Sequence, residues 1–240
     1  MQRLVELIAQ SSYVVAFTGA GVSTLSGIRD FRGEDGLYKT VDADRVFNIH
    51  AFVDDPSYYY RNTRRFIYDL DEKRPGIVHT ELARLEETGI VRAVITQNID
   101  LLHQKAGSRN VIEVHGTPSV HRCLDCGREY AFAHVAAIVK RGEVPWCVCG
   151  GAIKPDVTFF GEALPAAAIE GAVRECSRAD LLLVLGSSLV VTPAAHFPLY
   201  TLDHGGRLVI VNRMPTPLDR TATLRYDELE EVFLFIRDHL

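Results

Sequence analysis

The stretch TGAGVSTLSGIRDFRG, residues 18–33, follows the apolar run YVVAF and carries glycines at positions 19, 21 and 27. Glycines between a strand and a helix let the backbone approach a pyrophosphate, which N–H groups at the helix start then bind. A dehydrogenase places its third glycine three residues after the second, where this chain has Thr24. The stretch instead adds Asp30, Phe31 and Arg32. It therefore indicates a nucleotide site of another kind, with a tight turn that binds no ligand as the alternative.

The composition excludes several classes of protein. The chain has 240 residues, of which 47% are hydrophobic and 24% charged, and its formal net charge is −5. This balance argues against nucleic-acid binding through phosphate neutralisation. The opening MQRLVELIAQ is too short and too polar for a signal peptide, and no apolar run reaches the length of a membrane span. We therefore expect a globular protein of the cytoplasm that binds neither membranes nor specific nucleic acids.

Four short apolar runs without alternation predict strands that are buried on both faces. They are YVVAF (13–17), VRAVIT (91–96), LLLVLG (181–186) and RLVIV (207–211). Such strands are typical of parallel sheets covered by helices, and helical patterns lie between these runs. The alternation predicts an α/β fold with a doubly wound parallel sheet and right-handed crossovers.

Two stretches interrupt this alternation. Residues 42–75 carry many aromatic residues among charges and have a helical pattern, and residues 118–154 contain four cysteines. We interpret both as insertions that form a second, smaller lobe, which leaves 1–41, 76–117 and 155–240 as the large lobe. Ligands of open α/β sheets bind beyond the carboxyl ends of the strands, so the cleft between the lobes is the expected site.

The clustered cysteines predict a metal site. Cys123 and Cys126 are followed by a second, closer pair, Cys147 and Cys149. Two thiolate pairs at this separation are typical of a structural zinc site, because four sulfur ligands leave no open position for catalysis. The second pair is one residue shorter than usual, so His121 is an alternative ligand, and four free or redox-active thiols remain the other interpretation.

Polar residues follow several of the predicted strands. Gln97, Asn98 and Asp100 come after the second strand, where ligands bind, although turn or helix-cap roles would explain Asn98 and Asp100 equally well. His115 follows the apolar run VIEV, and a histidine titrates near neutrality, which suits proton abstraction. Small and polar groups at later strand ends suit ribose and adenine contacts: Gly186, Ser187, Ser188 and Asn212.

Taken together, the segments resemble a known family. GAGVSxxSGIxDFRG, TQNIDxLHxxAG, VxxVHG, two cysteine pairs, KPDVxFFGE and GSSLVV occur in the order found in sirtuins, from about residue 12 to about residue 227. The resemblance implies an NAD-dependent protein-lysine deacetylase or deacylase with a Rossmann-like lobe and a small zinc-binding lobe. The compact length favours a bacterial or archaeal member.

The resemblance also implies the site residues. Catalytic roles fall to His115, Asn98 and Asp100. The residues implied to contact NAD are Gly19, Ala20, Gly21, Ser23, Thr24, Asp30, Phe31, Arg32, Gln97, Asn98, Ile99, Asp100, His115, Gly186, Ser187, Ser188 and Asn212. The residues implied to contact the acyl-lysine peptide are Tyr60, Val157, Thr158, Phe159, Phe160, Gly161, Glu162, Leu189 and Val190. The zinc ligands are Cys123, Cys126, Cys147 and Cys149.

In sirtuins NAD is consumed rather than reduced. The acyl-lysine oxygen traps the ribosyl carbon as nicotinamide leaves, and by resemblance His115 is the base that activates a ribose hydroxyl. The implied products are lysine, nicotinamide and O-acyl-ADP-ribose, and nicotinamide is an expected product inhibitor. Mono-ADP-ribosyl transfer and a non-catalytic NAD-binding module are the alternatives. The presence of His115, Asn98 and Asp100 argues against both.

Departures from the family pattern concern the acyl group. Members that remove succinyl or malonyl groups carry Tyr-x-x-Arg in the helical insertion, but aligning this pattern on Tyr60 puts Thr63 at the arginine position. Arg64 comes one residue late, which turns its side chain by about 100° on a helix. We therefore expect acetyl and other neutral acyl groups. Arg29 stands where most relatives have proline, and Thr158 stands where valine is usual.

Overall fold

A computed structural model of the chain describes residues 1–30, 36 and 42–240. The strands are β1 Val14–Thr18, β2 Val91–Thr96, β3 Val111–Glu113, β4 Gly116–Cys123, β5 Glu129–Ala131, β6 Ile153–Val157, β7 Leu181–Leu185, β8 Arg207–Val211 and β9 Leu224–Tyr226. The α-helices are α1 Gln2–Gln10, α2 Ala43–Val46, α3 Ile49–Asp54, α4 Pro56–Thr63, α5 Ile77–Glu87, α6 Leu102–Ala106, α7 Phe132–Lys140, α8 Ala166–Arg178, α9 Phe197–Asp203 and α10 Leu229–His239. A 3₁₀ segment, Ala20–Ser26, follows β1. Within these residues no helix is both long and apolar enough to cross a bilayer.

The larger sheet has the doubly wound topology. Its six strands are parallel and lie in the order β3-β2-β1-β7-β8-β9. The chain builds outward from β1 to β3, returns to the middle at β7, and builds outward again on the other side. The order therefore reverses between β1 and β7, and a crevice opens at the carboxyl ends of such a pair. The predicted α/β, Rossmann-like fold is confirmed.

Helices cover both faces of this sheet. Along β1, Val14 and Ala16 pack in a core with α1, α5 and α10, whereas Val15 and Phe17 pack in a second core with α8 and α9. Successive side chains of a strand point to opposite faces, so a strand between two helical layers has no polar face. This layering explains why the run YVVAF shows no alternation.

The smaller lobe joins an antiparallel sheet, in the order β5-β4-β6, to an aromatic cluster on α3 and α4. Phe52 contacts Tyr59 edge to face, with ring centroids 5.5 Å apart, and Phe159 joins the same cluster. Edge-to-face pairs of this kind stabilise a small core beyond its buried area. The predicted limits of the cysteine insertion, 118 and 154, fall inside β4 and β6, and the division into lobes stays a prediction.

Candidate active site

A cleft of about 340 Å³ opens where the carboxyl ends of the parallel strands face the small lobe. Most of the residues that the sequence analysis selected line it together. From the large lobe these are Gly19, Ala20, Gly21, Ser23, Asp30, Gln97, Asn98, Ile99, Asp100, His115, Gly186, Ser187, Ser188 and Asn212. From the end of β6 and the segment that follows it they are Val157, Thr158, Phe159, Phe160, Gly161 and Glu162. Strand ends far apart in sequence therefore converge on one site.

Three glycines bring the turns after β1 and β7 into backbone contact. The Gly19 N–H donates to the Leu185 carbonyl, and the Gly21 N–H donates to the Gly186 carbonyl, each at 2.9 Å. A Cβ atom at Gly19 would lie 2.7 Å from the Gly186 oxygen, and one at Gly21 would lie 2.7 Å from the Gly186 Cα. The floor of the cleft, formed by Gly19, Gly21 and Gly186, thus has no room for side chains at Gly19 and Gly21, because the two turns contact each other backbone to backbone.

A buried hydrogen-bond network lies beside the glycines. The Ser23 hydroxyl donates to Asp100 Oδ2 at 2.6 Å and accepts from Asn98 Nδ2 at 3.1 Å. The same Asn98 amide group donates to the Gly19 carbonyl at 3.1 Å. The other carboxylate oxygen of Asp100 accepts the Leu102 N–H at 2.9 Å. Asp100 therefore caps its turn, as the structural interpretation expects, and also holds Ser23, while its role toward a ligand stays a prediction.

His115 is oriented as a proton acceptor. Its Nδ1 lies 2.8 Å from the backbone oxygen of Gln97. Because a carbonyl oxygen accepts only, Nδ1 carries the proton and the lone pair of Nε2 is left to take one. Burial lowers the pKa of His115, while the bond to Gln97 acts in the opposite direction. The ring is therefore neutral near pH 7, as a general base must be.

The segment Val157–Glu162 forms the small-lobe wall of the cleft and keeps backbone groups available. The Thr158 N–H donates to the His115 carbonyl at 2.8 Å, and both backbone groups of Phe160 pair with residues 47 and 49. The Thr158 carbonyl and the Gly161 N–H have no partner within the described part of the chain. An extended peptide pairs with unsatisfied groups of this kind.

The four thiols have the arrangement of a tetrahedral metal site. All four sulfur atoms lie within 4.8 Å of one another, and Cys123 to Cys149 and Cys126 to Cys147 each measure 3.5 Å. Zinc–sulfur bonds of about 2.3 Å in tetrahedral geometry place the sulfurs about 3.8 Å apart, so the donor set fits zinc. His121 is not a member of this group: it is buried in the small lobe, with Nε2 3.0 Å from the Tyr68 hydroxyl.

Comparison with known proteins identifies the family. The profile of the Sir2 family matches residues 19–193. The chain belongs to the Sir2 family. The NAD-dependent protein deacetylase of Thermotoga maritima is 46% identical to it over 95% of this chain and 92% of the relative. NAD-dependent protein deacylase 1 of Archaeoglobus fulgidus is 40% identical over 92% of this chain and 89% of the relative.

Solved Sir2 structures share the fold. A Sir2 structure with a p53 peptide and NAD+ matches with a TM-score of 0.90 at 44% identity, covering 99% of this chain and 96% of that one. A Sir2 structure bound to a propionylated peptide matches with a TM-score of 0.89 at 43% identity and the same coverage. The resemblance to sirtuins is thereby confirmed over nearly the whole chain.

Some of the selected residues of this Sir2 protein do not line the cleft. Tyr60 is buried in the small-lobe core and its hydroxyl donates to the Ile153 carbonyl. Thr24 points to the surface, where its hydroxyl donates to the Gly21 carbonyl. Leu189 is buried and Val190 is half-exposed, and neither is part of the lining. Phe31 and Arg32 lie outside the described residues.

Two buried histidines behind the Sir2 site were not selected from the sequence. His79 accepts the Gly76 N–H at Nδ1, so its Nε2 carries the proton and faces the Ser23 hydroxyl at 3.4 Å. His103 packs against it, with ring centroids 4.7 Å apart, and burial lowers the pKa of His103 to about 3. His103 is the histidine of TQNIDxLHxxAG, but nothing in the local pattern of α5 or α6 indicates that either ring lies beside Ser23.

Proposed function

We propose that this Sir2 protein removes acyl groups from lysine side chains of proteins or peptides and transfers them to the ADP-ribose part of NAD, with release of nicotinamide. One observation carries the proposal. His115, with its Nε2 open to accept a proton, faces the same cleft as the glycine floor and the network of Ser23, Asn98 and Asp100. The names of the relatives support the same activity.

On the large-lobe side, the residues present fit NAD as co-substrate. The glycine floor admits the pyrophosphate, and Ser187 and Asn212 at later strand ends offer polar groups to the riboses. Asn98 and Asp100 are already held by hydrogen bonds, so they bind a carboxamide without further ordering. Because the same two side chains would hold released nicotinamide, we propose that nicotinamide inhibits the enzyme.

On the small-lobe side, we propose that the acyl-lysine binds between Val157–Glu162 and the turn after β7, where Ser188 and Val191 line the cleft. The free carbonyl of Thr158 is placed to accept the N–H of the acyl-lysine amide, and the Gly161 N–H is placed to bind the peptide backbone. Backbone pairing carries little sequence information, so we expect many peptide sequences to bind. The apolar side chain of Phe159, which is buried, keeps water from the amide.

Bound NAD supplies a ribosyl carbon that becomes electrophilic when its bond to nicotinamide breaks, and the acyl oxygen of the substrate meets it. His115 Nε2 then takes the proton of a ribose hydroxyl, and that oxygen attacks the acyl carbon. The C–N bond of that adduct would then break, the lysine amine would leave with the proton taken up by His115, and water would add to the acyl carbon, so that the acyl group stays on the ribose as an ester. The hydrogen bond from Nδ1 to the Gln97 carbonyl holds the ring in the required tautomer throughout.

We also propose that the enzyme prefers neutral acyl groups. Arg64 lies with its guanidinium against Gly142 of the small lobe, where a Cβ would be 3.3 Å from Nη1. Arg61 Nη2 lies 3.7 Å from Asp55 Oδ2. Thr63 is buried, and its hydroxyl donates to the Tyr59 carbonyl. None of the three lines the cleft, so none is placed to pair with an acyl carboxylate. On matched peptides we expect kcat/KM for acetyl-lysine to exceed that for succinyl-lysine by at least about tenfold.

The decisive experiment follows the fate of the acyl group. The purified protein is incubated with an acetyl-lysine peptide, with and without NAD, and the products are identified by mass spectrometry. We expect nicotinamide, deacetylated peptide and O-acetyl-ADP-ribose in equal amounts, and slower turnover when nicotinamide is added. Release of free acetate without NAD would contradict the proposal. ADP-ribose bound to protein, with the acetyl group retained, would show a mono-ADP-ribosyltransferase instead.

The compartment is part of the proposal as well. Four unpaired thiols within 4.8 Å of one another keep their metal-binding form only where disulfides do not form. We therefore propose that the protein works in a reducing compartment such as the cytoplasm.

A further inference from the structure

Lys154 is a buried lysine at the end of the antiparallel sheet. It lies in β6, directly before the segment Val157–Glu162 that lines the cleft, and only 7% of its side chain is exposed. Lysines are among the residues least often buried, because removing the ammonium group from water is costly unless it is paired. A buried lysine next to a binding segment therefore requires an explanation.

The ammonium group of Lys154 has an acceptor for each of its three protons. Nζ donates to the Val157 carbonyl at 2.7 Å and to the Pro155 carbonyl at 3.2 Å. It pairs with Glu162 Oε2 at 2.8 Å. It also lies 4.1 Å from the centre of the Phe159 ring, within the range of a cation–π contact. Every one of these partners lies within the chain between Lys154 and the end of the binding segment.

Glu162 closes the segment from its other end. The same carboxylate oxygen that meets Lys154 accepts the Phe159 N–H at 2.7 Å, and the Glu162 N–H donates to the Phe159 carbonyl at 3.0 Å. Because Lys154 Nζ also donates to the Val157 carbonyl, it links the first residue of the segment to Glu162, the last one. The carboxylate is 28% exposed at the cleft, whereas the lysine lies beneath it.

The Lys154–Glu162 ion pair and its hydrogen bonds, which we call the clamp, determine which backbone groups of the segment remain free for a ligand. It uses the Val157 carbonyl and both backbone groups of Phe159, and the Thr158 carbonyl and the Gly161 N–H are left without partners within the described residues. Removing the ammonium group would leave the Glu162 charge without its cation and the Val157 carbonyl without the lysine donor, so the segment would relax. The groups that a peptide needs would then no longer be held in position.

We infer that the Lys154–Glu162 ion pair positions the segment Val157–Glu162 for the acyl-lysine peptide and thereby sets peptide affinity independently of NAD. The inference rests on the proposed function, because it concerns the peptide side of the same site. Lys154 acts through the segment and is a positioning residue. Among the described residues, the floor of Gly19, Gly21 and Gly186 shares no hydrogen bond with the pair.

The test compares Lys154→Met, Lys154→Arg and Glu162→Gln with the wild type. We expect Lys154→Met to raise the KM for the peptide by about tenfold while the KM for NAD and kcat change little, which is the mark of lost ground-state binding. Lys154→Arg keeps the charge and should recover part of the affinity. Glu162→Gln keeps an acceptor for the Phe159 N–H and should raise the peptide KM less than Lys154→Met does.

The double variant Lys154→Met/Glu162→Gln adds a thermodynamic cycle. If the two residues act as a pair, its peptide KM should lie close to that of Lys154→Met alone, since the interaction is already lost. The control is Lys140→Met, which removes a small-lobe lysine whose ion pairs with Asp69, Asp71 and Glu72 lie at the surface. Its peptide KM should equal that of the wild type.

Several results would overturn the inference. One is an unchanged peptide KM in Lys154→Met. Another is a parallel loss of NAD and peptide affinity together with a lower Tm, which would indicate a merely structural lysine. If Lys154→Met does not fold, Glu162→Gln and Lys154→Arg test the inference instead. A peptide KM equal to that of the wild type in both variants would then contradict it. Failure of the proposed function is distinct, because the wild type itself would then show no NAD-dependent turnover.

Discussion

The floor of the cleft and its small-lobe wall meet the same ligands but are held by different forces. In the floor, Gly19 and Gly21 touch Gly186 backbone to backbone, and the strands below are completely buried in two apolar cores. In the wall, the segment Val157–Glu162 continues from β6, a strand of the three-stranded sheet, which is held by an aromatic cluster and four thiols. A lobe built around three antiparallel strands gains stability from a metal link, whereas a six-stranded parallel sheet between two helical layers does not depend on one. The comparison predicts that disturbing one region leaves the other largely intact.

The largest effect should follow removal of a thiol ligand. Cys149→Ser takes away one of the four sulfur atoms at an exposed position, and a structural zinc contributes on the order of 10 kcal/mol to the folding of such a module. We expect loss of bound zinc, loss of deacylation, and loss of hydrogen-exchange protection in β4 and β6. Protection in β1 and β7 should remain.

The matched control is Cys176→Ala, which removes the buried thiol of α8, far from the metal cluster. It should keep its zinc and its activity, with a lower Tm from the small cavity. Equal loss of exchange protection in both sheets of Cys149→Ser would show that the two regions fold as one unit, against the comparison.

The second-largest effect should be a loss of turnover when His115, which faces the cleft between the two regions, is replaced. His115→Ala removes the proposed base, which contributes about 10²–10⁴-fold to the rate in enzymes of this kind. We expect kcat to fall by that factor while the Kd for NAD, measured by calorimetry, stays within about twofold. His204→Ala is the control, because His204 makes the same bond from Nδ1 to a backbone oxygen at 2.8 Å but lies at the surface. Normal turnover in His115→Ala would remove it from the mechanism.

A smaller effect tests the floor alone. Gly19 has an extended backbone, with φ −125° and ψ −174°, so alanine there is strained only by the contacts of its Cβ with Gly186 and Ser187. Such overpacking costs about 1–3 kcal/mol, and we expect Gly19→Ala to raise the KM for NAD by about tenfold or more. The peptide KM and the zinc content should not change.

Gly89→Ala is the control for Gly19→Ala. At Gly89 a Cβ meets nothing within 4 Å, but φ is +78°, so alanine there lowers stability through the backbone alone. It should lower the Tm and leave the KM for NAD unchanged. Similar NAD kinetics in the two variants would mean that close backbone contact in the floor is not what admits the cofactor.

The two regions also differ in how far the sequence predicts them. The predicted strand 91–96 coincides with β2, and 13–17, 181–186 and 207–211 lie within one residue of β1, β7 and β8 at each end. A strand buried on both faces leaves a continuous apolar run, so its position is visible locally. The edge strand β9, Leu224–Tyr226, is short and only half-buried, and no comparable run marks it.

In the site, the residues at strand ends were predictable because the topology of a doubly wound sheet brings those ends together. His79 and Lys154 were not, since each gains its role from a partner on another element or across a turn: Ser23 for His79, and Glu162 for Lys154. Tyr60 shows the opposite case. Its alignment with the tyrosine of Tyr-x-x-Arg predicted a contact with the acyl-lysine peptide in the cleft. In the structure α4 packs against the sheet of the small lobe, and the Tyr60 hydroxyl donates to the Ile153 carbonyl.

The smallest effect is a shift in the pH at which activity is lost on the acid side. This pH reports how well the small-lobe wall shields His115 from water. Burial disfavours the imidazolium form, so the pKa of His115 lies below the ordinary value, with the Gln97 carbonyl acting in the opposite direction. The neutral ring is the base. Activity should therefore persist as the pH falls to the usual histidine pKa of about 6.5 and be lost only below it.

We expect kcat/KM for the peptide, at saturating NAD, to decline about tenfold per pH unit on that acid limb. An inflection at or above about 6.5 would mean that water reaches the ring freely, and the small-lobe wall would then not seclude the reacting groups.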